Sequence, residues 1–585
     1  MKADLTRKTF DPLKHFSQVL MQQGRVQLDA DWNEQAAILL RYIRTLAADL
    51  IGPQGGPVGS NSGVAPGFLI GPVQFTPSAP YDFRVGLGHY YVDGILCEAD
   101  TRSVAIVFQP ANATSTSAEV QVDHWTLDGA PFYANQYVEV FDDVQMPYGS
   151  PVFTPTEAQI AKPQQAQLTL TLQAVPAAVL SALANATAPK LRRVITYLTQ
   201  PDYPVPSAQA LAVSTHYLVY LDVWERLITY VEDDSIREVA LGGPDTATRA
   251  KVVWQVKTVP VTRGTGDASA SPCDAFSPTD PSFIANNFNP NRGRLKAMAK
   301  QDTTSTNPCI TAPQSRYSGP ENQLYRVEIH TAWPSSSVTV WNGIGSPPAS
   351  AATFKWSREN GSVVFPITSI ATGSGTTTVF VENLGRDDRF GLAEGNWVEI
   401  QDDDYVLLNR AAPLLQVQSI DPTMLKLILT GAADPNVILN FTNNGLAKHP
   451  LVRRWDQTAG DPGEGGLQLA SDGAAYILEG TWLTLDDGVQ IQFQPPVPNA
   501  NQYVTSDYWL IPARTATGDV EWPTEAGSDS QGNATIVPIA KPPAGVDHHY
   551  APLGVISLDG SGVVTLSGDC RKQFGSLAQL PKLTP

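Results

Sequence analysis

The chain has 585 residues, and its 39 Lys and Arg against 57 Asp and Glu give a formal net charge of −18. That balance argues against nucleic acid or an anionic membrane surface as a charge-held partner, since both require clustered cations. Only 16% of residues are charged and 42% are hydrophobic, so the chain can fill large cores and is not disordered as a whole.

The first 50 residues predict two amphipathic helices. Asp11 followed by Pro12 reads as an N-cap with proline at the first helical position, and Leu13, Phe16 and Leu20 follow at helical spacing up to Gly24. Asp31 reads as a second N-cap, with Glu34 completing a capping box. Ala36, Leu39, Ile43, Leu46 and Leu50 then form one apolar stripe. A glycine-rich segment, IGPQGGPVGSNSG, ends the unit.

From about residue 65 the texture is β. HYYVDGILCEA reads as a hairpin turning at Asp93-Gly94. EVQVDHWTL, QYVEVF and QAQLTLTL read as strands, and PAAVLSALANATAP as a short helix. Residues 216–231 and 252–259 supply two longer strands, and 260–320 is a connection rich in Ser, Thr, Pro and Asn. Strands resume at LYRVEIH, ATFKWSR, SVVFPI, TTVFVE, NWVEI and LKLILT. They end with the hairpin TWLTL–DDG–VQIQF, DYWLIPA and LGVISL.

The expected fold is mainly β, in several antiparallel sandwiches or barrels behind a two-helix amino-terminal unit. The expected domains are a helical docking unit at 1–50; a first β domain from 51–100 plus 197–260; an inserted β-rich subdomain at 101–196; a loop-rich connection at 261–330; a second β domain at 331–450; and a carboxy-terminal β domain at 451–585.

No phosphate loop, dinucleotide fingerprint, HExxH or GxSxG occurs. His548-His549 is a poor chelate, because neighbours on a strand face opposite ways. Asp402, Asp403 and Asp404 lack the spacing of a hard-cation loop and read as a solvated turn, as do Arg386 to Arg389. Glu225, Glu232 and Asp233 could supply a glycosidase pair, but no second motif supports one. Trp125, Trp224, Trp254, Trp333, Trp341, Trp356, Trp397, Trp482 and Trp509 fall in or beside strands and read as core, the alternative being a platform for sugar rings. Cys97, Cys273, Cys309 and Cys570 read as unpaired thiols, with Cys273 and Cys309 as the pair to form under oxidation. No cofactor, metal or catalytic residue is expected. The start lacks the apolar core of a signal peptide and no window spans a membrane, so folding in a cytoplasm is expected.

Several long phrases are shared with a known family. DPLKHFSQVLMQQGRVQLDADWNEQAAIL (11–39), the stretch LDVWERLITYVEDDSIREVALGGPDTATRAKVVWQVK (221–257), SGPENQLYRVEIH, ATFKWSRENGSVV, HPLVRRWDQ, DYWLIPARTATGDVEWP, VDHHYAPLGVI and DCRKQF resemble an uncharacterised bacterial domain family. Its members accompany phage-tail-like contractile injection systems or are fused to β-helix tail and spike modules. The likeness covers nearly the whole chain except 101–196.

The resemblance implies a structural or accessory component at or near the baseplate (crown, spike or fibre attachment). Its partners would be baseplate or tail proteins, in several copies on a symmetric ring, with a cell-surface or membrane-associated target beyond. The particle would be built in the bacterial cytoplasm and stay there, be membrane-anchored or be released. The alternatives are a glycan- or surface-binding module using aromatic residues and, third, a carbohydrate-active enzyme such as a glycoside hydrolase.

Leu13, Phe16, Leu20, Trp32, Leu39, Ile43 and Leu46 are the expected docking residues. Removal of residues 1–50 is expected to leave a folded body. Self-association is expected to be weak unless an apolar patch overcomes the repulsion of like-charged copies.

Overall fold

Four helices and many short strands make up the computed structural model. It describes residues 1–58, 67–73, 79–127, 130–144, 155–261, 273, 292–300, 316–331, 340–348, 350–373, 375–385, 391–496, 500–528 and 534–575. The protein is mainly β, with two closed six-stranded barrels among several sheets. Arg386 to Arg389, Trp333 and Cys309 lie outside the described residues.

The amino-terminal unit carries one helix, not two. Asp11 caps only a single 3-10 turn, Pro12–Lys14, which His15 closes in a left-handed conformation. Residues 16–28 then run without helix. Leu13, Phe16 and Leu20 face solvent, so no packing offsets the cost of nucleating a helix there. Helix α1 spans Asp29–Ile51 and starts two residues before the expected cap. The Leu28 carbonyl accepts from the Asp31 and Trp32 amides, and the Thr6 amide fixes the Asp29 carboxylate at 2.9 Å. Gly52, at φ +93°, ends the helix.

The chain divides into two compact units. The smaller comprises Ile43–Val223, Val253–Ser277 and His549–Pro585. Within it, the strands Ser103–Phe108, Ser117–Val122, Tyr137–Asp142, Thr156–Gln164, Thr169–Gln173 and Pro189–Arg193 close a barrel. Alternation along Thr169–Gln173 sends Leu170 and Leu172 inward, where they meet Val120, Val138, Ile160 and Leu191. The short helix α2, Ala177–Leu183, adds Val179, Leu180 and Leu183 to that core.

The chain enters and leaves this barrel at paired residues, Ser103 opposite Arg192. Excision of 103–193 behind a short Gly/Ser bridge should therefore leave the rest of the protein folded. Its melting temperature should stay within about 5 °C of the intact chain, because the cost is limited to part-exposed ion pairs such as Arg84 with Glu139. Insoluble expression would show instead that the barrel belongs to the main core.

In the same unit, Gly88–Val92 and Ile95–Ala99 form a hairpin. Asp93 and Gly94 both have positive φ, as a type I′ turn needs. Residues 216–223 pair antiparallel with the strand His549–Leu558. Cys273 is joined to Cys570 and Cys97 is a buried free thiol. This corrects both the unpaired reading and the Cys273–Cys309 pairing, because the fold brings the distant Cys570 within bonding reach.

The larger unit comprises Met1–Tyr42, Trp224–Val252 and Pro278–His548. Its five-stranded sheet runs Ala475–Tyr476, Thr353–Ser357, Gln323–Ile329, Tyr508–Arg514 and Asp519–Val520. Its barrel is built from Val364–Thr372, Thr376–Val381, Trp397–Gln401, Leu414–Asp421, Lys426–Thr430 and Leu451–Trp455. Helix α3, Asp403–Leu407, follows the strand Trp397–Gln401, and helix α4 spans Pro435–Asn444.

Strand pairing crosses two expected domain boundaries. Gln323–Ile329 pairs with Tyr508–Arg514, and Leu451–Trp455 is a barrel strand beside Trp397–Gln401. Long-range pairing of this kind leaves no mark in local composition.

Tyr325, Val327, Phe354, Trp356, Phe493 and Trp509 fill the core on one face of the sheet. Their rings meet edge to face or stacked, with Tyr325 and Trp356 5.9 Å apart. Most of the strand tryptophans are thus core, while Trp125, Trp397 and Trp482 are half-buried.

Candidate functional site

Alternation along the central strands gives the larger unit a second, charged interior. Arg326 and Glu328 lie between the apolar residues of Gln323–Ile329, and Lys355 lies between Phe354 and Trp356. These side chains point away from the aromatic core. On the barrel strands, Val398, Ile400 and Val452 point into the barrel, so Glu399, Arg453 and Trp455 point out.

All of these charged groups are buried. The Lys355 ammonium donates to Glu399 at 2.6 Å and to the Tyr405 hydroxyl at 2.9 Å, and sits 3.5 Å from Glu328. Arg326 donates to Glu328 at 2.6 Å. Glu399 also accepts from Tyr405, from the Trp455 indole at 3.0 Å and from Gln401 at 2.7 Å.

The first residues of the chain complete this network. The Met1 amine donates to the Tyr508 hydroxyl at 2.9 Å, and Lys2 pairs with Glu328 at 2.9 Å. Arg326 and Asn360 donate to the Met1 carbonyl, and Asn360 to that of Ala3. Removal of residues 1–50 would strip these partners from buried groups. The expectation of a separable docking unit is corrected here: residues 1–3 belong to the body.

Burial acts to raise the Glu328 carboxyl, but Lys2, Arg326 and Lys355 outweigh it and hold the group well below the usual range. Burial is likewise outweighed at Glu399 by Lys355 and His330. A carboxylate whose pKa is depressed by folding stabilises the fold above its unfolded value of ~4.3 and loses that contribution as the pH falls. The urea midpoint of the larger unit should therefore drop steeply below about pH 4. The drop should be shallower in Glu328→Gln, and an equal slope in both proteins would show that Glu328 is not depressed.

Beyond Ala3 the amino-terminal segment runs along α1. Thr9 donates to Glu34 at 2.6 Å, and the Val19 amide donates to Gln35 at 2.7 Å. All seven expected docking residues, Leu13, Phe16, Leu20, Trp32, Leu39, Ile43 and Leu46, are more than half exposed. Tyr42 and Leu50, absent from that set, are exposed on the same helix. Only Ala30 and Ile38 of α1 are buried. The helix turns a face of small residues inward and its large apolar side chains outward, the reverse of an ordinary surface helix.

Elsewhere the candidate groups have structural partners. Asp402 and Asp404 are buried, which corrects the solvated-turn reading. Asp402 caps α3, Asn440 bridges Asp402 and Asp404, and Lys448 pairs with Asp404 at 2.9 Å. Asp403 holds Arg226 at 2.8 Å and His449 at 2.6 Å, and its hydrogen bond raises the imidazole pKa. Glu232 accepts from Thr229 and Asp233 from Ser235. His549 bonds Asp93, and the His548 ring lies 5.6 Å from that of Trp224.

A hollow of about 330 Å³ is lined by Trp341, Leu478, Glu479 and Pro495 among others. Its one carboxylate, Glu479, is already engaged by Asn501 and Tyr503 at 2.8 Å each. Among the described residues no group of three His, Cys, Asp or Glu is placed to hold a metal, and no helix is long and apolar enough to cross a membrane.

Residues 1–117, 194–276 and 283–582 match the model of DUF6519, a family of unknown function. The chain belongs to this family. The family match breaks off at 118–193, within the barrel that ends at Arg193. No curated protein and no solved structure matches the chain.

Proposed function

We propose that this DUF6519 chain is a structural subunit of a phage-tail-like contractile injection system, held at or near the baseplate by its amino-terminal segment. The observation that carries the reading is the outward apolar face of residues 13–50. Exposed apolar surface of this size on an acidic, otherwise polar protein marks an interaction site. Its first residues are pinned into a buried network, so a load on the segment would pass directly to the body. The long phrases shared with tail-associated proteins supply the class of partner. A subunit bound to a ring takes the ring's copy number, and the ring supplies local concentration that free copies lack.

The test is the composition of particles purified from a native host. The protein should be present at a fixed ratio to the baseplate ring, in whole-number stoichiometry. Its absence from such particles would overturn the proposal and favour a glycan-binding module.

A further inference from the structure

The exposed stripe on α1 has a stricter period than an amphipathic surface helix requires. Trp32, Ala36, Leu39, Ile43, Leu46 and Leu50 follow one another at steps of four, three, four, three and four residues. That is an unbroken a/d heptad pattern, with Trp32, Leu39 and Leu46 at d and Ala36, Ile43 and Leu50 at a. At ~100° per residue these six fall within a narrow band, and the inward residues Ala30, Ile38 and Ala48 lie roughly opposite. The body therefore occupies one side of α1 and leaves the seam free.

We infer that α1 pairs with α1 of a second copy of this chain, as a two-stranded coiled coil through this seam. The inference deepens the proposed function by naming what covers the helix, and leaves Leu13, Phe16 and Leu20 for the particle.

Three features favour a like copy. The heptad seam is self-complementary, and Ile at a with Leu at d suits two strands. The flanking e and g positions are Asn33, Leu40 and Ala47, and Gln35, Tyr42 and Asp49, so two copies bring together almost no like charge despite a net charge of −18 each. The area also fits. With ~150–250 Å² per large side chain, the exposed fractions of Trp32, Leu39, Tyr42, Ile43, Leu46 and Leu50 leave on the order of 700 Å² per helix, close to the ~800 Å² per partner of a standard interface.

Sedimentation velocity of the purified full chain, without any particle, tests this. The chain should run at twice its monomer mass at micromolar concentration, and more salt should tighten the dimer by screening the acidic bodies. Leu39→Glu/Ile43→Glu should weaken association by ~100-fold or more with an unchanged melting temperature, since all of its targets face solvent. Ile43→Cys, should the charged variant fail to fold, should form a covalent dimer on oxidation, whereas Leu13→Cys should not. A monomer at tens of micromolar, a dimer indifferent to the seam variant, or equal crosslinking at both cysteines would overturn the inference. Dimerisation is read in the absence of particles, so failure to join particles would sink the proposed function and leave the coiled coil standing.

Discussion

Lys355→Met should lower the stability of the larger unit by ~3–5 kcal/mol, the usual cost of removing one partner from a buried ion pair. The methionine preserves most of the aliphatic volume, so the loss isolates the charge. Without the ammonium, Glu328 and Glu399 face one another across a dry interior, and Tyr405 loses one of its two close partners. Lys355→Met/Glu399→Gln should recover part of the loss, giving a coupling of at least ~1 kcal/mol in a double-mutant cycle. Urea unfolding followed by tryptophan fluorescence reads both quantities. A shift below ~1 kcal/mol for the single variant would mean that water reaches the site and that the network is not an interior.

The second large effect separates two parts of the amino-terminal segment. Removal of residues 1–3 should cost ~2–4 kcal/mol, because Glu328 loses Lys2 and the Tyr508 hydroxyl and the Arg326 guanidinium lose their bonds to Met1. Leu13→Ser/Phe16→Ser/Leu20→Ser should leave the thermal transition unchanged within about 2 °C, since these side chains touch solvent. The first variant tests the anchor, and the second prepares a folded protein with a blank attachment surface. An unchanged transition in the first variant would show that Met1 and Lys2 do not hold the body together.

The strands were legible because their side chains alternate, as at QAQLTLTL, whose inward Leu170 and Leu172 occupy the barrel core. What alternation could not reveal was the destination of the polar face. LYRVEIH reads as a strand with one wet side, yet Arg326, Glu328 and His330 are among the most buried polar groups of the chain. The second layer that covers them comes from residues 397–401 and 451–455, remote in sequence.

The same limit applies to Asp402–Asp404. A run of three aspartates resembles a solvated turn until Asn440, Lys448 and His449 close over it. The first helix failed for a different reason. Its cap and spacing were present, but nothing packs on Leu13, Phe16 and Leu20 within the chain. The docking stripe on α1 was legible as a stripe, while its outward direction required the fold.

Attachment through the amino-terminal segment is the central claim, and co-sedimentation with purified particles from a host lacking the native copy tests it most directly. The intact chain should pellet with the particles at a fixed ratio, and the equally stable Leu13→Ser/Phe16→Ser/Leu20→Ser variant should remain in the supernatant. Equal pelleting of both proteins, or of neither, would contradict the account.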